Sequence, residues 1–163
     1  MIMNRWLAVI VSVALVLLQI CVTPLFKIWG LNYNFALVCI IVFSCLCGGK
    51  TAIFNAVLVS FIYDCYVSKV PGTYFLIYMV LAVTIQAISK HMYNRNLWIS
   101  LMFVVISTLI SELLIYWIFY AFNSMPYTSL ALSKIIFPQC IINAVLCLPV
   151  FWLFKSVFKI KRV

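Results

Sequence analysis

Acidic side chains are almost missing from this chain: Asp64 and Glu112 are the only two among 163 residues, against 11 Lys+Arg. Charged residues of both signs make up 8% of the sequence, where an average soluble domain carries about 25%. That shortage excludes an ordinary soluble globule, which needs polar groups over much of its surface. Disorder is excluded as well, because it requires low hydrophobicity and high charge, and this chain is 68% hydrophobic. Histidine occurs once, as His91, and no C-x-x-C is present. Cys45-Leu46-Cys47 has the wrong spacing for a zinc knuckle, so no metal and no other cofactor is expected. No serine sits in a nucleophile motif, and two isolated acids do not make a catalytic set; the chain is not expected to be an enzyme. What remains is a polytopic membrane protein with one integral-membrane domain over residues 1–163.

What is plentiful is apolar side chains and positive charge. The net charge of +9 sits in short segments between apolar runs, where lysine and arginine set topology and meet lipid headgroups. No basic patch is interleaved with exposed aromatics as nucleic-acid sites require, so membrane lipid, not nucleic acid, is the expected contact. The seven cysteines, Cys21, Cys39, Cys45, Cys47, Cys65, Cys140 and Cys147, lie mostly inside apolar runs and read as small core residues.

Six apolar runs can be drawn, at about 6–22, 31–47, 51–66, 72–89, 97–119 and 135–154. They predict an all-α fold, a compact bundle of six transmembrane helices. Several runs reach only about 25 Å at 1.5 Å per residue, a little under the hydrocarbon thickness. Fusing them into four spans would cross Gly48-Gly49-Lys50 or Pro71-Gly72, both strong breakers. The first run lacks a small-x-small cleavage site and reads as a helix rather than a signal peptide. With the amino terminus inside, the cytoplasmic segments hold Arg5, Lys50, Lys90, Arg95, Lys155, Lys159, Lys161 and Arg162, and the outer ones hold Lys27, Lys69 and Lys134. Eight against three favours both ends in the cytoplasm. Trp6, Trp29, Trp98, Trp117 and Trp152 lie near run ends, where an indole prefers the interface. The longest connection is about 120–134.

Polar side chains are costly in lipid, so their placement carries information. Ala8, Ser12, Gln19 and Thr23 fall within about 60° of one another on the first helix. The fourth presents Ala82, Gln86 and Ser89; the fifth Ser100, Ser107 and Ser111, flanked by Thr108 and Glu112; the sixth Gln139, Asn143 and Cys147. Each helix thus offers a polar or small face to its neighbours. Asp64, Glu112, Gln19, Gln139 and Asn143 share one depth, toward the outside, and are expected to cluster there. For Asp64 the expected partner is Lys69 or a helix amino terminus.

One stretch is more specific. Gly48-x-x-x-Ala52-x-x-x-Ala56-x-x-x-Ser60-x-x-x-Asp64 places small residues at every fourth position and ends on an acid. Such a ridge lets another backbone approach closely. It is followed by Val70-Pro71-Gly72-Thr73-Tyr74-Phe75-Leu76, a breaker that opens the next span. Ridge, acid and turn resemble those of the rod shape-determining membrane protein family MreD. The specific residues span about 34–93, and the layout of spans matches along the whole chain. The family usually carries glycine where Ala52, Ala56 and Ser60 stand; the exchanges keep these positions small.

The resemblance implies a scaffold of the bacterial wall-elongation machinery in the cytoplasmic membrane. Its implied partners are an MreC-like bitopic protein, an MreB-like actin filament, and a RodA-type glycosyltransferase with its transpeptidase. Gly48, Ala52, Ala56, Ser60, Asp64, Pro71, Gly72 and Glu112 are the candidate packing and partner residues. The six-helix layout is also similar to that of the substrate-binding subunits of energy-coupling-factor vitamin transporters, and such a transport subunit is the alternative. Ala8-x-x-x-Ser12 and the connection 120–134 are the features it would use.

Overall fold

Helices end where the sequence carries its breakers. The computed structural model describes residues 2–22, 34–47, 49–68, 70–91, 96–123 and 129–157. Among these the fold is all helical, with no strand: α1 Ile2–Val22, α2 Phe35–Leu46, α3 Lys50–Val67, α4 Thr73–Ser89, α5 Leu97–Asn123 and α6 Ser129–Val157. Gly49 and Gly72, both at positive φ, are the residues that cap α3 and α4.

Four elements differ in length from the apolar runs by about a turn or more: α1 begins at Ile2 rather than near 6, α5 continues to Asn123 rather than ending near 119, and α2 and α6 differ as well. α6 begins at Ser129 rather than near 135 and continues to Val157, running through Pro138 and Pro149. Hydrophobicity marks where a helix is apolar, not where it begins, and Leu130, Ala131, Leu132 and Lys134 are mostly good helix formers. Helix-internal prolines are tolerated where neighbouring helices satisfy the freed backbone groups. α2 is shorter than its run over 31–47; residues 31–33 lie outside the described residues.

α2 is the centre of the bundle. It packs against all five other helices, and every side chain from Ala36 to Leu46 is buried. A helix apolar on all sides belongs in such a place. Its 12 residues extend about 18 Å, well short of about 30 Å of hydrocarbon, so its amino end stops inside the protein.

Contacts between named residues give the helix directions. Trp6 meets Phe54, Ser12 bonds Asn55, and Gln19 bonds Tyr63, so α1 and α3 run parallel. Asn143 meets Asn34 and Phe154 meets Phe43, so α2 and α6 are parallel. Gly49 pairs with Gln86 while Asp64 pairs with Gly72, so α3 and α4 are antiparallel. Thr108 pairs with Asn143 and Glu112 with Gln139, so α5 opposes α6. Ala36 at the start of α2 bonds Gln19 near the end of α1, so α1 and α2 are antiparallel and successive helices alternate in direction. Lys50, Lys90 and Lys155 collect at one end; Gln19, Asn34, Tyr63, Tyr74, Glu112 and Gln139 lie toward the other. By length and composition three helices suffice to cross a membrane: α3, α5 over Leu97–Ile118 and α6 over Ile136–Val157; the apolar helices Trp6–Cys21, α2 and α4 are shorter.

The polar stripes turn inward. Ala8, Ser12 and Gln19 of α1, Ala82, Gln86 and Ser89 of α4, Ser100, Ser107, Thr108 and Ser111 of α5, and Gln139, Asn143 and Cys147 of α6 are all buried. Thr23 lies outside the described residues. Outward faces carry large apolar side chains such as Ile10, Leu76, Met102, Trp117, Phe137 and Ile141, which suits contact with lipid.

Candidate functional site

The acid that ends the ridge closes the turn that follows it. Val70, Pro71, Gly72 and Thr73 form a β-turn, with Thr73 N–H donating to the Val70 carbonyl at 3.3 Å. Gly72 has φ 91° and ψ −13°, the third-residue geometry of a type II turn, where glycine is favoured because φ is positive. Proline at the preceding position sets φ for the same turn. Gly72 is also the cap of α4, and it has no side chain with which to cap. Asp64 supplies the missing acceptor from across the turn. Its Oδ2 accepts from Gly72 N–H at 2.5 Å, and its Oδ1 accepts from Tyr74 and Phe75 N–H at 2.9 and 3.4 Å. These are among the donors a helix start leaves unpaired, and a carboxylate there also meets the positive end of the helix dipole. Of the two partners expected for Asp64, a helix amino terminus is the one found; Lys69 lies outside the described residues.

Ala52, Ala56 and Ser60 are buried, 1% exposed or less, on a helix that packs against α1, α2 and α4 of the same chain. The ridge thus faces inward. The Ser60 hydroxyl donates to the carbonyls of Ala56 and Val57, so this polar atom needs no other helix. Gly48 lies outside the described residues. Above the ridge, the rings of Tyr63, Tyr74 and Tyr78 pack together with centroids 5.3 to 5.9 Å apart.

The clustering expected of Gln19, Asp64, Glu112, Gln139 and Asn143 resolves into separate hydrogen-bonded sets. Asp64 serves the turn. Gln139 Nε2 donates to Glu112 Oε1 at 2.8 Å, linking α6 to α5; Glu112 is half-buried. Gln19 and Asn143 converge on the start of α2. Asn34 N–H donates to Asn143 Oδ1 at 3.1 Å, Ala36 N–H donates to Gln19 Oε1 at 3.2 Å, and Leu37 N–H donates to the side chain of Asn34 itself at 3.1 Å. Asn34 Nδ2 donates to the Tyr78 hydroxyl, and Asn143 Nδ2 donates to Thr108 Oγ1 at 3.3 Å. A helix that begins inside an apolar bundle must have its free N–H groups answered by side chains. Here α1, α4, α5 and α6 each take part in the answer, directly or at one remove.

Asn34, Tyr78 and Asn55 are the structurally important residues that the polar stripes do not single out. Asn34 carries a readable signal, since asparagine directly before an apolar helix is a favoured N-cap. Asn55 bonds Ser12 across α1 and α3, and its Nδ2, with Ser44 Oγ and Gln86 Oε1, is buried without a partner among the described residues. No group of three or more metal-ligating side chains occurs among the described residues.

The ridge, the acid-capped turn and the buried start of α2 make an arrangement that fixes helices against one another. Comparison with curated proteins and with solved structures gives no match. A family model described as rod shape-determining protein MreD matches residues 1–159. With all but the last few residues matched, the chain belongs to the MreD family of rod shape-determining membrane proteins.

Proposed function

We propose that this protein is a non-enzymatic scaffold of the bacterial wall-elongation complex. It would sit in the cytoplasmic membrane as one six-span domain with both ends inside, and hold other shape proteins in register through helix contacts. The observation that carries the proposal is the use made of the polar side chains. Asp64 caps a helix of its own chain, Glu112 bonds Gln139, and Gln19, Asn34 and Asn143 serve a helix start. The polar chemistry is spent on holding the bundle. Its outward faces remain apolar, as suits contact with other helices in lipid. The partners proposed are an MreC-like bitopic protein first, then an MreB-like filament and a RodA-type glycosyltransferase with its transpeptidase.

Co-purification tests this. The full chain, tagged and co-expressed with the MreC-like protein, is expected to retain it through detergent extraction. Failure to retain any of the named proteins, together with tight binding of a vitamin-like solute, would replace the scaffold by the transport alternative. Orientation is supported by the eight-to-three lysine and arginine asymmetry and by the gathering of Lys50, Lys90 and Lys155 at one end of the bundle. In a background without the native cysteines, a cysteine at Ser124 is expected to react with an impermeant reagent from outside, and one at the exposed His91 is not. The reverse pattern overturns the assignment.

A further inference from the structure

We propose that the side of the bundle formed by α1, α3 and α4 takes up membrane lipid with short acyl chains, and that the side formed by α5 and α6 does not. The proposal rests on the six-span reading above. Packing gives the arrangement. α2 touches every other helix, and the rest close a ring around it: α1 packs on α3, α3 on α4, α4 on α5, α5 on α6, and α6 on α1. Lengths differ around this ring. α4 has 17 residues and α3 has 18, about 25 and 27 Å; the apolar stretch Trp6–Cys21 of α1 extends about 24 Å. α5 over Leu97–Ile118 and α6 over Ile136–Val157 have 22 residues each, about 33 Å. An ordinary hydrocarbon core is about 30 Å thick. Three neighbouring helices therefore fall short of it, and the two that complete the ring cover it.

The short side cannot be stretched. Its α3–α4 hairpin is bounded at one end by the exposed Lys50 and Lys90 and at the other by the turn over 70–73. Neither a charge nor the backbone of a turn is drawn cheaply into hydrocarbon. Lysine can snorkel at its own end, but the carbonyls of a turn cannot. Tilt shortens the reach of a helix across the bilayer, so it can fit the long helices to a thinner layer and cannot fit the short ones to a thicker layer. The surface on this side suits acyl chains. Ile10 of α1, Phe61 of α3, and Leu76 and Val80 of α4 are each more than half exposed. Exposed Thr84 spends its hydroxyl on the carbonyls of Val80 and Leu81 in its own helix, so the outward middle of α4 offers hydrocarbon alone. On the long side, the exposed indoles of Trp98 and Trp117 lie about 28 Å apart along α5, a separation that sets both at the interfaces of an ordinary bilayer. A short side against ordinary lipid costs fractions of a kcal/mol for each Å of mismatch, and shorter chains remove that cost.

Quenching by brominated lipid reads which chains lie against each side. In the full chain with its native tryptophans changed to phenylalanine, one tryptophan is placed near mid-span on either side, by Val80→Trp on α4 or Ile106→Trp on α5; both positions are exposed. Each variant is reconstituted in mixtures of brominated eighteen-carbon phosphatidylcholine with an unbrominated fourteen-carbon or eighteen-carbon competitor. At position 80 the fourteen-carbon lipid is expected to displace the brominated one about threefold better than the eighteen-carbon lipid does. At position 106 it is expected to gain no advantage. An equal chain-length preference at the two positions would overturn the proposal, because lipid would then meet one thickness all round. A tryptophan at position 80 that bromine does not quench at all would instead overturn the six-span reading on which the proposal rests. The unsubstituted chain gives a second reading that no variant can spoil. Extracted by polymer in native discs from an equimolar mixture of the two unbrominated lipids, it is expected to carry the fourteen-carbon lipid in roughly 1.5-fold excess over the bulk, counted by mass spectrometry. Discs with the bulk composition would also overturn the proposal.

Discussion

Asp64 and Gly72 build the start of α4 together: the glycine adopts the left-handed backbone that opens the helix, and the carboxylate eight residues earlier accepts the hydrogen bonds that a glycine cap cannot. Asp64 Oδ2 lies 2.5 Å from Gly72 N, and Oδ1 lies 2.9 Å from Tyr74 N. Removing the side chain leaves several partly buried N–H donors without an acceptor. Asp64→Ala is expected to cost about 2 kcal/mol and Asp64→Asn about half of that, since the amide keeps one acceptor but loses the charge. Denaturant unfolding in detergent micelles measures both. An Ala variant as stable as the native chain would remove Asp64 from the turn's energetics. Recovery of the MreC-like partner is expected to follow the same order.

The other half of that pair gives a separable result. Among the described residues, and apart from its chain neighbours, no atom stands within 4 Å of a Cβ built on Gly72, so the expected cost of a substitution there comes from the backbone conformation at φ 91°. Gly72→Ala is expected to destabilise by about 1 kcal/mol. Gly72→Asn is expected to be milder, because asparagine tolerates the left-handed region. If the two variants prove equally damaging, the cost lies in packing rather than in φ.

Much of this is legible in the sequence, and the limit is set by what periodicity can express. The six helices, the breakers at Gly49 and Pro71-Gly72, and the inward polar stripes follow from spacing along one segment. The ridge from Ala52 to Asp64 marks a buried face, and a helix terminus is one of the two partners that the acid's position allows. The central place of α2 goes unread in the spans alone, although its uniformly apolar composition is the signal for it. The pairing of Asn34 with Asn143 is out of reach, because the two are 109 positions apart and no periodicity links them. Depth alone groups Asp64 with Gln19 and Asn143, and only the turn geometry separates them.

Along the ridge the expected fault is crowding. Ala56 is wholly buried, whereas neighbouring Val57 is half-buried. Ala56→Leu inserts three heavy atoms between helices in contact and is expected to cost about 1–3 kcal/mol. Val57→Leu, a smaller increase at a more open position, is expected to cost less than about 0.5 kcal/mol. Ser60→Leu is expected to resemble Ala56→Leu. In cells the two bulky ridge variants should lose rod shape while Val57→Leu retains it. Normal shape and normal complex recovery in both bulky variants would show that the ridge contact tolerates separation.

The buried start of α2 is where a single polar side chain should matter most. Asn143 accepts from Asn34 N–H with its oxygen and donates to Thr108 Oγ1 with its nitrogen, so it ties the central helix to α5 and α6 at once. Asn143→Leu keeps the bulk but strands a buried backbone donor, at a cost of about 1–3 kcal/mol. Asn143→Asp keeps the acceptor, yet places a charge in a fully buried position and is expected to be worse. Thr108→Val is expected to cost less than Asn143→Leu, because the 3.3 Å bond it removes leaves only a side-chain amide to find another partner. Asn34→Ala keeps the backbone N–H that donates to Asn143 and removes only the cap on Leu37 N–H and the bond to Tyr78, so the double variant Asn34→Ala/Asn143→Leu will destabilise by less than the sum of the singles if cap and bond support one helix start together. Additive losses in that cycle would mean that the cap made by the Asn34 side chain and the bond accepted by Asn143 stabilise the helix start independently.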